Sequence, residues 1–187
     1  MRRLPRIHRQ TLLTDDTSDT IAAHSFRTAI IAWFLAKKEK VDPYKAVMMA
    51  LIHDMAEART GDHNWVHKRY VKIFDDMIYE EQLGDLPYAD LKELVDEYQK
   101  RKSKEAIIAK QADLLDQILI LREYEWQGNK EAPLWLYGNT FKAGQKIKGK
   151  ENKIKSLTLK SARDLGKEIY NTPPSEWWQH IWTNKNK

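Results

Sequence analysis

The run Ala50-Leu51-Ile52-His53-Asp54-Met55-Ala56-Glu57 places an imidazole and two carboxylates inside an apolar stretch whose periodicity is helical. A helix with this pattern faces a core, and burying an unpaired carboxylate costs several kcal/mol. The fold must therefore bring these groups a partner, whether a metal, a base or a cap. His24 makes the same demand within the apolar stretch from Thr20 to about Lys38, and Asp113 makes it again within Ala109-Lys110-Gln111-Ala112-Asp113-Leu114-Leu115. Demands on three separate helices are met most simply if the helices converge on one polar site. The expected fold is all-α, a single compact helical domain with the site between its helices.

The rest of the chain fits that reading. Its 187 residues suit one domain, and we take 1–187 as such, with a core of about 4–128 and a helical extension of about 129–187. Glycine is scarce, at 7 residues, and no stretch alternates convincingly with period two. The first helix, apolar almost all round, is expected to be buried. Asp42-Pro43 is an N-cap followed by proline at the first helical position, and predicts a helix running to the Thr60-Gly61-Asp62 break. Further helices are predicted over about 66–83, 88–100, 103–126 and 155–170, with 130–153 the least regular segment.

The chain has no cysteine, so any metal must be held by His, Asp or Glu. Neighbouring helical residues point about 100° apart, and His53 and Asp54 can both reach an ion over the bisector. His24 and Asp113 are available from other helices, and Glu57 lies one turn beyond His53 on the same face. Two imidazoles and two carboxylates suit Mn²⁺, Fe²⁺, Co²⁺, Ni²⁺ or Mg²⁺ at least as well as zinc.

The order His24, His53-Asp54, Asp113 resembles that of the HD-domain metal-dependent phosphohydrolases, and in particular the 5'-deoxynucleotidase-like branch. The matching stretches are Ala23-His24-Ser25-Phe26-Arg27, His53-Asp54-Met55-Ala56-Glu57-Ala58-Arg59-Thr60-Gly61-Asp62 and Lys110-Gln111-Ala112-Asp113. The resemblance implies that His24, His53, Asp54 and Asp113 bind one divalent metal. It also implies that Glu57 is catalytic and that Asp62 acts beside the sugar and phosphate of a nucleotide. Arg6 and Arg9 compete for a phosphate-gripping role, and no tryptophan occupies the position that checks deoxyribose in relatives. The implied reaction is attack of metal-activated water on the phosphate monoester of (deoxy)nucleoside 5'-monophosphates, by a homodimer, and the lack of cysteine and of a hydrophobic signal core leads us to expect a cytoplasmic protein.

Two other classes remain open. One is a different HD-type phosphohydrolase, acting on nucleoside triphosphates, cyclic nucleotides or alarmones. The other is a helical nucleic-acid binder, suggested by the formal charge of +5. That charge is lopsided: residues 129–187 carry +7 and residues 1–128 carry −2, so the basic excess lies away from the site and disfavours nucleic acid as the partner. No segment is apolar enough for a membrane span. Gly144 to Lys150 mimics the glycine spacing of a phosphate-binding loop, but Glu151 stands where Ser or Thr is needed, and a basic loop is the better reading. His63 and His67 read as a surface pair, since Asn64 replaces the glutamate of a helical zinc-protease motif. Trp177, Trp178 and Trp182 read as core or dimer contacts.

Overall fold

The computed structural model describes residues 2–9, 16–64, 66–137, 139–142, 145–148 and 153–176. Thr20 opens helix α1 (Ile21–Glu39), its side chain accepting from the Ala23 amide at 3.2 Å, and Lys40 closes it in the left-handed conformation. Asp42 caps α2 (Pro43–Ile52) by accepting from the amides of Tyr44 and Lys45. Both caps are local chemistry that the sequence displays.

The helix expected to run on to Thr60 instead breaks at His53. His53 Nδ1 donates to the Ala50 carbonyl at 2.7 Å, competing with the backbone bond that carbonyl would otherwise accept. The amides of Met55, Glu57, Ala58 and Arg59 then bond three residues back, in tight turns that lead into the short α3 (Glu57–Thr60). The single helix expected over 66–83 is likewise two, α4 (His67–Tyr70) and α5 (Asp75–Leu83). Val71 is extended between them, Ile73 drops onto the core, and Asp75 and Asp76 favour a fresh helix start by complementing its dipole. Then follow α6 (Asp90–Lys100) and α7 (Lys104–Trp126), the latter preceded by Ser103, whose hydroxyl accepts from the Ala106 amide.

The chain divides into two compact units, 1–116 and 117–187, with the boundary inside α7. In the first, α1 packs along α2, and a core of Ile52, Met55, Ile78, Tyr79, Leu83 and Val95 joins the end of α2 to α5 and α6. A smaller cluster of Leu4, Ile21 and Ala58 secures the N-terminal segment. Helix α1 is not buried all round: Ile21, His24, Thr28 and Ala32 are fully enclosed, but Phe26 and Phe34 are 64% and 60% exposed. In the second unit, α8 (Ala132–Tyr137) and α9 (Lys160–Asn171) are tied by the Tyr170 hydroxyl donating to the Leu136 carbonyl. The irregular segment contains an antiparallel hairpin of β1 (Asn139–Lys142) and β2 (Gln145–Lys148), a minor addition to a helical fold. Gly144, Gly149, Lys150 and Glu151 of the basic loop, and the tail tryptophans, lie outside the described residues.

Candidate active site

His24 lies in the first turn of α1, His53 and Asp54 at the break after α2, and Asp113 on α7. The first unit brings all four together. His24 Nε2 stands 3.3 Å from His53 Nε2, 3.5 Å from Asp54 Oδ2 and 3.4 Å from Asp113 Oδ1. His53 Nε2 stands 3.1 Å from Asp54 Oδ2 and 4.0 Å from Asp113 Oδ1.

The outer ring nitrogens explain which atoms face inward. His24 Nδ1 donates to Asp116 Oδ2 at 2.6 Å, and His53 Nδ1 donates to a carbonyl, which can only accept. As neutral rings both therefore turn Nε2 lone pairs toward one point, beside two carboxylates. Four electron-pair donors so close repel unless a cation lies among them. An ion holding ligands at about 2.1 Å, at tetrahedral or right angles, spaces neighbouring donors roughly 3.0–3.4 Å apart. The separations of 3.1, 3.3 and 3.4 Å fall in that range, 3.5 Å lies just beyond it, the 4.0 Å between His53 Nε2 and Asp113 Oδ1 approaches the spacing of donors on opposite sides of an ion, and the N/O donor chemistry suits a divalent ion. Burial pushes the Asp54 carboxyl upward, but His53 and then His24 beside it hold it below the usual carboxylate range.

Behind the donors lies a network that sequence reasoning missed. Asp116 receives His24 Nδ1 on one oxygen and Arg27 Nε on the other, at 2.6 Å each, and Arg27 Nη2 reaches Asp19 at 2.8 Å. Asp116 is 1% exposed. Such a partner fixes the tautomer and tilt of a ligating imidazole. Its signal was present, since Asp116 follows Asp113 by three residues on one helical face.

In front of the donors opens a cleft lined by Glu57, His63, Tyr98, Arg101 and Lys110 among others. Glu57 Oε2 is buried without a hydrogen-bond partner. Burial, then the negative charges of Asp54 and Asp62, push its carboxyl up to about 9. Asp62 sits half-buried in the loop after α3. Arg9, mostly enclosed, approaches Asp54 at 3.6 Å, and the backbone holds it there through Arg9 N to Asp19 O and Ile21 N to Ile7 O. Arg6 is exposed on the preceding turn. His63 and His67 stack edge to face, and His63 Nε2 donates to the Thr60 carbonyl.

A sequence profile described as the HD domain matches residues 1–155. The chain belongs to the HD-domain family. The HD domain is a metal-dependent hydrolase domain, and this HD protein is a metal-dependent phosphohydrolase. Among its relatives, a Bos taurus protein named 5'-deoxynucleotidase HDDC2 is 30% identical over 145 residues, covering 72% of this chain and 67% of the relative. Among solved structures, a conserved hypothetical protein from Pyrococcus furiosus superposes with a TM-score of 0.70 at 27% identity, covering 91% of this chain and 95% of that one. A predicted metal-dependent phosphohydrolase from Magnetospirillum magnetotacticum gives 0.64 at 25% identity, covering 91% and 85%. Among the described residues, no helix of the HD protein is long and apolar enough to cross a membrane.

Proposed function

We propose that the chain hydrolyses the phosphate monoester of deoxynucleoside 5'-monophosphates, with His24, His53, Asp54 and Asp113 as the ligands of one divalent cation. The observation that carries this reading is the convergence of two Nε2 lone pairs and two carboxylate oxygens beside a cleft in which Glu57 keeps an unpartnered buried oxygen. The relative named 5'-deoxynucleotidase supports the choice of substrate. When bound, the cation supplies Lewis acidity, drawing charge from a phosphoryl oxygen and making water more acidic.

The chain's own residues do the rest. Arg9, rather than the exposed Arg6, neutralises phosphate charge from the ligand side. Glu57, whose carboxyl is pushed upward by burial and by the negative charges of Asp54 and Asp62, is the residue placed to take a proton from the incoming water at Oε2 and pass it to the leaving 5' oxygen. Asp62 raises the Glu57 carboxyl by its charge, and we read it as the residue beside the nucleotide sugar. Mn²⁺, Co²⁺, Mg²⁺, Fe²⁺ and Ni²⁺ suit the mixed donor set, with zinc also compatible. We further read residues 1–187 as one HD domain with its core over about 4–128, acting as a cytoplasmic homodimer.

The test is a chelated protein reloaded separately with Mn²⁺, Co²⁺, Mg²⁺ and Zn²⁺ and assayed against deoxy- and ribonucleoside monophosphates. Turnover is expected to vanish on chelation and return with metal, with deoxynucleotides preferred. An Asp54→Ala variant that keeps full activity after depletion and add-back overturns the ligand assignment. Preference for triphosphates, cyclic nucleotides or alarmones overturns the substrate.

A further inference from the structure

Arg101 has an uncommon backbone for its side chain. It terminates α6 at φ 53°, ψ 31°, in the left-handed region that residues other than glycine seldom occupy. Its guanidinium carbon lies 3.3 Å from the centre of the Tyr98 ring, a close cation–π contact that restricts the fork. Tyr98 is itself enclosed, at 2% exposure, and its ring packs edge-on against His53, 5.5 Å between centres. A continuous stack thus runs from a donor of the metal site to a restricted guanidinium in the wall of the same cleft.

The bonding of the neighbouring cations differs. Arg9 approaches Asp54, and Lys110 contacts Asp113 at 2.6 Å, so each is committed to a carboxylate of the donor set. Among the described residues Arg101 Nη1 is buried without a hydrogen-bond partner, while the rest of the fork is held by Tyr98. A buried guanidinium N–H without a partner costs free energy that an acceptor entering the cleft recovers.

We propose that Arg101 is a phosphate-binding residue, its stacked fork receiving non-bridging oxygens of the phosphate monoester held at the donor set. Two parallel N–H groups in one plane match a phosphate edge, whereas a lysine offers only a point charge. Arg101 lines the same cleft as His53, Asp54 and Asp113, so a phosphoryl group held at those donors shares that cleft with the Arg101 fork. The base of a bound nucleotide is a sugar's length further away. This assignment rests on the phosphohydrolase reading, and its test separates the two.

Arg101→Gly and Arg101→Lys are to be compared with the unmodified protein, each metal-loaded, by calorimetric titration with inorganic phosphate and by steady-state kinetics on deoxynucleoside monophosphates. Glycine accepts the left-handed backbone, so the turn after α6 survives truncation. In Arg101→Gly the phosphate Kd and the KM are expected to rise about tenfold to a hundredfold, with kcat changed much less. Arg101→Lys is expected to recover part of the loss. Unchanged phosphate affinity in both variants overturns the proposal, even where melting temperature or kcat falls, because a purely structural role predicts that pattern. An altered base preference at constant phosphate Kd overturns it in favour of a base contact. If the unmodified protein binds phosphate but turns over no monophosphate, the nucleotidase reading fails while the isotherms still decide Arg101.

Discussion

The two sides of the donor cluster are built differently. Behind it, the enclosed His24, Asp116 and Asp19 and the half-buried Arg27 form a chain in which each polar group meets a partner at 2.6–2.8 Å. In front, within one cleft, Glu57 Oε2, His63 Nδ1 and Arg101 Nη1 are all buried without hydrogen-bond partners. Folded chains rarely tolerate such orphans, since each costs about 1–3 kcal/mol. The rear is complete as the polypeptide alone and serves to hold ligands in place. The front leaves three such groups facing one cleft, which is why we read it as the side that receives substrate.

The contrast is tested most severely at Glu57. Replacement by Gln removes the exchangeable proton and keeps the shape, so kcat is expected to fall about 10²- to 10⁴-fold. Stability should not fall, because a carboxyl already pushed up to about 9 is neutral at pH 7 and the amide replaces it without a buried charge. Burial raises this carboxyl above its ordinary value, so ionising it opposes folding, and the native protein gains nothing from the charged form as pH rises. Activity retained in Glu57→Gln would mean that the orphaned oxygen at the front is a packing defect with no part in the chemistry.

At the rear the expected effect is smaller and of another kind. Asp116 uses both oxygens, one for Arg27 Nε and one shared by His24 and Arg27 Nη2. An asparagine side chain in its place offers a single oxygen and turns an N–H toward a donor. Asp116→Asn should weaken metal binding about 10- to 100-fold, as loss of such outer partners does elsewhere, while saturating metal restores most of kcat. A kcat that stays low at saturating metal would move Asp116 from a positioning role to one in the reaction itself.

Features legible in the sequence are those set by local chemistry or by the cost of burial. Thr20, Asp42-Pro43 and Ser103 begin helices where their side chains cap amides, and His24, His53, Asp54 and Asp113 stood out as polar groups in apolar helices. The end of α2 was not legible, because His53 turns its ring onto Ala50 while Tyr79, 26 residues later, holds its carbonyl. Arg27 and Asp116 are 89 residues apart, and no local pattern announces their pairing. Arg101 left no trace at all: its left-handed backbone and its stack on Tyr98 exist only once α6 has ended against the core.

The smallest effect is expected away from the site, at a pair that isolates burial from distance. Lys45 and Glu97 join α2 to α6 at 2.8 Å, the same separation as Arg27 and Asp19, and the two cations are about equally exposed, at 36% and 34%, but Glu97 is 31% exposed whereas Asp19 is 5% exposed. Lys45 holds the Glu97 carboxyl below its ordinary 4.5. A depressed carboxyl contributes stability above its unfolded value and loses it as pH falls through the folded one, so the contribution is present at pH 7 and fades below about 4.5. Water and salt screen both partners, which limits the contribution to a few tenths of a kcal/mol. Glu97→Gln should therefore lower the melting temperature by a degree or so at pH 7, and the difference should shrink in 1 M salt and below about pH 4. A loss as large as that of Asp19→Asn would show that distance, not burial, sets the strength of ion pairs in this fold, and the contrast between the rear network and the surface would collapse.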